Sequence, residues 1–152
     1  MEYTKFENIY SFFLNTIQDY SIKKLFESDI ETATQMLEYF LMKAIPKFRN
    51  CEKNILDVDL NNSSFNCTLD LEEITILSDL MVLSWMDRVI NDITQMNMSL
   101  TDNDFKHYSE ERNLAGKSEY RDRWRENTSQ AMVDYGLYRT PFSQWAVGNY
   151  GV

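Results

Sequence analysis

The sequence predicts an all-α fold: a compact bundle of four to five helices over residues 1–136, followed by an extended segment over residues 137–152. The chain has 152 residues, 43% of them hydrophobic, which is enough for a substantial core. It contains only two prolines and four glycines, the residues that most often interrupt helices. Apolar residues recur at spacings of three and four along most of the chain, as in amphipathic helices.

The first half of the chain predicts two helices. In the first, apolar residues follow helical spacing at Phe6, Ile9, Tyr10, Phe13 and Ile17. Ser28 or Asp29 is placed to cap the second helix, and Ser28 with Glu31 fits a capping box. The apolar stripe of this helix runs from Ile30 to Ala44. Pro46 is expected to end it, because proline lacks an N–H and clashes with the preceding turn.

Residues 54–67 predict an extended arm or a small hairpin. Apolar and polar residues alternate from Leu56 to Leu60, and four turn-forming residues, Asn-Asn-Ser-Ser, follow directly. Because an isolated hairpin is only marginally stable in water, this segment needs a neighbour to pack against.

The strongest helical signal begins at Asp70. Asp70 with Glu73 fits an N-terminal cap, and the apolar positions that follow cover much of the helix circumference: Ile74, Leu77, Leu80, Met81, Leu83, Trp85, Val89 and Ile93. Such a helix is usually central, so we expect residues 70–93 to be buried in the middle of the domain.

Two more helices are predicted after this one. Thr101 with Asp104 starts a shorter helix, which Gly116 is expected to break. The last helix runs from about residue 118 to residue 135, and Gly136 occupies the place of a C-terminal glycine cap.

The sequence does not predict an enzyme. It has no phosphate-binding loop, dinucleotide glycine motif or nucleophile elbow. The single histidine, His107, has Asp104 and Glu111 at helical spacing, which is the pattern of a general base oriented by a carboxylate, but an exposed histidine on a charged helix is the simpler interpretation. Cys51 and Cys67 supply too few ligands for zinc. We therefore expect no catalytic residue, no metal and no cofactor.

Charge is distributed unevenly along the chain. The net charge is −9, with 20 acidic and 9 basic residues up to position 111 but 4 acidic and 6 basic residues after it. An acidic body disfavours general nucleic-acid binding. The two signs suit side-by-side packing of copies, with Arg121, Arg123 and Arg125 facing a neighbour's carboxylates; the alternative is a solvated helix of mixed charge.

The sequence predicts no membrane association. No apolar run approaches the roughly 20 residues that span a bilayer. The first residues, MEYTKFENIY, lack the basic start and apolar stretch of a signal peptide. We therefore expect synthesis in a reducing cytoplasm.

The segment 137–152 is nearly uncharged and rich in aromatic residues. We expect it to be mobile in the free subunit and to order on a partner, because aromatic side chains give a large contact area for few frozen torsions. Its candidate docking residues are Tyr138, Arg139, Phe142, Trp145 and Tyr150. The alternatives are a ribbon folded back on its own domain and the disorder that is frequent at chain termini.

Three stretches together resemble a known family: MLEYFLMKAIPKFRNC (36–51), LDLEEITILSDLMVLSWMDRVIND (69–92) and TDNDFKHYSEERNL (101–114). In this order they resemble the small helical neck proteins of tailed bacteriophages, the head–tail connectors, also called adaptor or head-completion proteins. The resemblance covers roughly residues 30 to 135 and includes neither the first helix nor the chain after Leu137.

The resemblance implies a structural virion protein, made in the host cytoplasm and located in the neck of the particle. Its copies would form a ring, commonly of twelve, that binds the portal protein and other neck or tail proteins. DNA would pass through the channel without sequence-specific binding. The rival hypothesis is a small helical regulatory or anti-defence protein that binds one host partner through its aromatic tail. An enzyme using His107 is the weakest alternative.

Overall fold

A computed structural model describes the backbone of residues 3–99 and 104–141, and the side chains of residues 3–95 and 113–141. Within these residues there are five α-helices: α1 (Phe6–Thr16), α2 (Tyr20–Ser28), α3 (Ile30–Ala44), α4 (Leu71–Ser99) and α5 (Asp104–Arg139). Two short antiparallel strands, β1 (Val58–Asp59) and β2 (Ser64–Phe65), form a hairpin. The predicted all-α bundle with a small hairpin is confirmed.

Helix α4 is the central element, as predicted. It packs against α1 and α3 on one side and against α5 on the other. Its core positions are almost fully buried: Ile76, Leu77, Leu80, Met81, Val82 and Leu83. The burial of apolar side chains around α4 is the main stabilising contribution to the fold.

Helix α2 was not predicted, and it changes the shape of the N-terminal half. Asp19 caps α2 by accepting hydrogen bonds from the backbone N–H groups of its first turn. Asp29 caps α3 through the backbone N–H and the hydroxyl of Thr32, at 3.1 and 2.6 Å. The expected capping box of Ser28 is absent, because the Ser28 hydroxyl donates to a carbonyl of the preceding turn. Pro46 lies in a single 3-10 turn that follows α3, as expected.

The predicted hairpin does pack on a neighbour, which is the N-terminal segment. The Thr4 carbonyl accepts a hydrogen bond from the Phe65 backbone N–H at 2.8 Å, and the Thr4 N–H donates to the Cys67 carbonyl at 3.1 Å. The rings of Phe65 and Phe6 meet edge to face at 5.1 Å, and both side chains are fully buried. The first residues of the chain therefore hold the hairpin against the helical core.

Helix α5 is continuous through Gly116, so the predicted break there is wrong. One glycine in a helix costs only about 1 kcal/mol relative to alanine, and packing along α4 outweighs that cost. The two helices that were expected after residue 101 are therefore a single long helix that runs antiparallel to α4.

The predicted helix end at Gly136 is also wrong, because α5 continues to Arg139. Gly136 allows a close approach instead of ending the helix: a Cβ at this position would lie 3.1 Å from the Asn50 amide nitrogen, which donates to the Met132 carbonyl. The first three residues of the expected tail are consequently helical. Residues 142–152 lie outside the described residues.

Candidate functional site

The amino end of α4 and the carboxyl end of α5 are joined by a polar cluster of five residues, Lys53, Asp70, Glu73, Tyr135 and Arg139, which we call the anchor cluster. Asp70 and Glu73 form the predicted cap, in which each side chain accepts a hydrogen bond from the backbone N–H of the other residue. The Asp70 N–H donates to the Glu73 carboxylate at 2.9 Å, and the Glu73 N–H donates to the Asp70 carboxylate at 3.0 Å. Two otherwise unpaired donors at the start of α4 are thereby satisfied.

Glu73 is the centre of the anchor cluster, and its side chain is completely buried. One carboxylate oxygen accepts from the Lys53 ammonium at 2.7 Å, and the other accepts from the Tyr135 hydroxyl, also at 2.7 Å. Burial raises the pKa of the Tyr135 phenol above its usual value. A buried carboxylate is tolerated only when it is paired and hydrogen-bonded in this way, so the cluster fixes α5 in one register against α4.

Arg139 was predicted to lie in a docking tail, but its side chain belongs to the anchor cluster. Its guanidinium donates to Asp70 at 2.6 Å and lies 4.1 Å from the centre of the Tyr135 ring. It also pairs with Glu52 and Glu72, each at 3.3 Å. These contacts stabilise the helical residues that follow Gly136. The hydrogen bond to Asp70 raises the pKa of the Arg139 guanidinium.

The other predicted docking residues have different outcomes. Tyr138 is 85% exposed on the last turn of α5, so it is available for a contact. Phe142, Trp145 and Tyr150 lie outside the described residues, and their docking role stays a prediction.

A second feature lies toward the other end of the α4–α5 pair, in the space between these two helices and the start of α2. It is an open groove of about 690 Å³, which we call the docking groove. Half of its twelve lining residues are apolar or aromatic, five are polar or charged, and one is glycine: Gln18, Asp19, Tyr20, Ser21, Trp85, Met86, Val89, Ile90, Asn113, Gly116, Lys117 and Tyr120. Its volume lies within the range of ligand and peptide pockets.

Two tryptophans tie together the helices that form the groove. The Trp85 indole N–H donates to the Asp19 carboxylate at 2.8 Å, which ties the start of α2 to α4. The Trp124 indole N–H donates to the Asp79 carbonyl at 3.2 Å and so ties α5 to α4. Tyr20 and Tyr120 remain 80% and 53% exposed at the groove. Exposed aromatic side chains beside an open apolar groove are typical of a binding surface.

The three arginines predicted to face another subunit make contacts within the chain. Arg121 and Arg125 both reach Asp87 on α4, at 3.1 and 3.6 Å. Arg123 points outward and pairs with Glu119 on its own helix at 3.1 Å, with both side chains well exposed. Arg121 and Arg125 therefore help to hold the two helices together, whereas Arg123 is the most accessible of the three. The intersubunit role stays a prediction.

The described residues supply no clear catalytic arrangement. Burial raises the pKa of the Cys51 and Cys67 thiols, so their reactive thiolate forms are disfavoured. Among the described residues, no group of three or more histidine, cysteine, aspartate or glutamate side chains could hold a metal ion. The His107 side chain lies outside the described residues. No helix in the described part of the chain is long and apolar enough to cross a membrane.

Comparison with protein-family models, curated proteins and solved structures gives no match to this chain.

Sequence reasoning missed the docking groove because it missed α2. The signal was present: Asp19 precedes Ile22, Leu25 and Phe26, which is a cap followed by apolar residues at helical spacing. Trp85 was expected only as one of the apolar positions of the central helix. Without α2 nothing indicated that Trp85 and Tyr120 lie at a common surface.

Proposed function

We propose that this chain is a structural virion protein of a tailed bacteriophage, a head–tail connector that forms a ring beneath the portal and extends the DNA channel. The observation that carries the proposal is the placement of two different contact regions. The docking groove lies toward one end of the α4–α5 pair, and the aromatic C-terminal segment leaves the other end. A subunit whose two contact regions differ can bind one neighbour on each side, as a ring requires.

The charge distribution supports the same function. The body is acidic, and an acidic channel wall repels DNA so that the duplex slides through without sequence-specific binding. Arg123, exposed on α5, is the residue we assign to a neighbouring copy's carboxylates. Such a rim contact sets orientation and encounter rate and weakens with salt. The remaining partners are the portal protein and other neck or tail proteins.

The second candidate is a small regulatory or anti-defence protein, and the docking groove is the observation that favours it. A groove of this size also suits one helix or extended peptide of a single host protein. Such a protein would act as a monomer or dimer, whereas the connector acts as a ring in the particle.

Electron microscopy of virions of the phage that encodes this chain tests the proposal, with the chain located by an affinity tag. We expect a closed ring of tagged subunits directly beneath the portal. The proposal is wrong if the chain is absent from purified particles and is recovered from infected cells as a monomer or dimer bound to one host protein.

A further inference from the structure

We infer that the docking groove of one copy receives Phe142 and Trp145 of the neighbouring copy, so that subunits join head to tail. The inference deepens the proposed ring by naming its contact. The contact can nevertheless be tested separately from the ring.

The groove and the segment match in chemistry. The groove presents Tyr20, Trp85 and Tyr120 together with apolar side chains of α4, and it carries only two charged residues, Asp19 and Lys117. The Asp19 carboxylate is already used by the α2 cap and the Trp85 indole. The segment 142–152, FSQWAVGNYGV, has no charged side chain. Lys117 is exposed, so its ammonium can stay in water while its aliphatic stem packs on the segment. An uncharged aromatic segment can therefore fill the groove without burying an unpaired charge.

The anchor cluster fixes the point from which the segment departs. Arg139 is held by Asp70, and the Thr140 N–H still donates to the Gly136 carbonyl at 3.2 Å, so the chain follows the helix up to this point. From Arg139 back to Tyr120 there are nineteen helical positions, or about 29 Å. On α4 the groove residues Trp85 and Val89 lie fifteen and nineteen positions from Asp70, or about 23 and 29 Å.

The chain is too short for Phe142 to reach the groove of its own copy. Even a fully extended backbone places the Cα of Trp145 at most about 22 Å, and that of Phe142 at most about 11 Å, from the Cα of Arg139. Both values fall short of the separation between Arg139 and Tyr120. On α4 the groove begins at Trp85, about twice as far from the anchor cluster as Phe142 can reach, so Phe142 can enter only the groove of another copy. Trp145 follows three residues later and enters the same groove.

A contact of this kind leads to a ring. The groove and the segment are different surfaces of one chain, so each copy donates a segment to one neighbour and accepts a segment from the other. Such head-to-tail contacts form a closed ring when the rotation between copies closes. Because every copy in the ring is held on two sides, a weak single contact becomes stable through its high effective concentration.

Disulfide trapping between two differently labelled full-length chains tests the inference. Both chains carry Cys51→Ser and Cys67→Ser to remove the native thiols, and circular dichroism confirms that each is folded. The first chain has Lys117→Cys at the groove, and the second has Ser143→Cys between the two aromatic residues. We expect a disulfide between the two chains under mild oxidation. Adding Trp145→Ala to the second chain should lower its yield about tenfold or more, as loss of an aromatic anchor does.

The matched control moves the first cysteine to Lys43, which lies on α3 and outside the docking groove. We expect no trapping there. A chain carrying both Lys117→Cys and Ser143→Cys should form disulfides between copies and none within one copy at high dilution. Equal trapping at Lys43→Cys, a disulfide within one chain, or no trapping at Lys117→Cys would overturn the inference. If virions contain the ring but no disulfide is trapped, the proposed function still holds and this contact is wrong. If the disulfide is trapped but virions contain no ring, the contact holds and the proposed ring is wrong.

Discussion

The two ends of the α4–α5 pair are built in opposite ways. At the anchor cluster a fully buried carboxylate, Glu73, is surrounded by hydrogen-bond donors of the same chain, so the surface there is closed. At the docking groove the same two helices leave Tyr120 half exposed and an open volume of about 690 Å³ between themselves and α2. One end satisfies its polar groups internally, and the other leaves apolar surface uncovered.

The same pair of helices therefore contributes to stability at one end, the anchor cluster, and to binding at the other end, the docking groove. Satisfied buried polar groups are costly to disturb, because removing one partner leaves the others unpaired. Exposed aromatic residues contribute little to the free energy of unfolding but much to an interface. We therefore expect substitutions at the anchor cluster to act on folding and substitutions at the groove to act on assembly.

The largest effect on stability is expected for Glu73→Gln. The neutral amide leaves Lys53 and Arg139 without their buried charge partner. Because both cations are partly exposed to water, the loss is smaller than for a fully buried ion pair. We expect a loss of about 2–3 kcal/mol in the free energy of unfolding. Urea unfolding followed by circular dichroism measures it. The matched control is Glu119→Gln, which removes an exposed ion pair and should cost less than about 0.5 kcal/mol. Equal losses for the two variants would contradict the assignment of the cluster.

A smaller, pH-dependent effect is expected for Asp79, on α4 between the two ends. Burial raises the pKa of Asp79 to about 6, above its value in the unfolded chain, so folding disfavours the charged form. Stability should fall as pH rises from about 4 to about 6 and then level off. Asp79→Asn should remove this dependence and gain about 1–2 kcal/mol at neutral pH, since the residue is half-buried. A difference between parent and variant that is the same at pH 4 and pH 7 would rule out this interpretation.

The smallest effect is expected for Gly116→Ala at the groove end of α5. A Cβ there meets no atom within 4 Å, so the substitution adds helix propensity without a clash. We expect a gain of about 0.5–1 kcal/mol in thermal or urea unfolding. Gly136→Ala serves as the comparison, because its Cβ would crowd the Asn50 amide and offset the same gain. Destabilisation by Gly116→Ala would mean that α5 needs a break at this position.

The sequence was informative where local signals and packing agree. The cap of Asp70 with Glu73 and the apolar surface that follows predicted the central helix, and both are observed. The helix break predicted at Gly116 and the helix end predicted at Gly136 were wrong. The free-energy cost of a glycine in a helix is small compared with the gain from packing along a neighbouring helix. The buried pairing of Glu73 with Tyr135 could not be predicted, since it joins residues 62 positions apart. The docking groove depends on three helices, and one of them was not expected.

Native mass spectrometry of two mixed variants tests the head-to-tail contact most directly. Tyr120→Ala impairs the groove of one chain, and Trp145→Ala removes the main anchor of the other chain's segment. We expect neither variant alone to form rings, while the mixture forms complexes of two chains, since only one intact groove and one intact segment can meet in each pair. Tyr39→Ala, an equally exposed tyrosine outside the groove, should assemble as the parent does. Rings formed by either variant alone, or a mixture that stays monomeric, would contradict the head-to-tail contact.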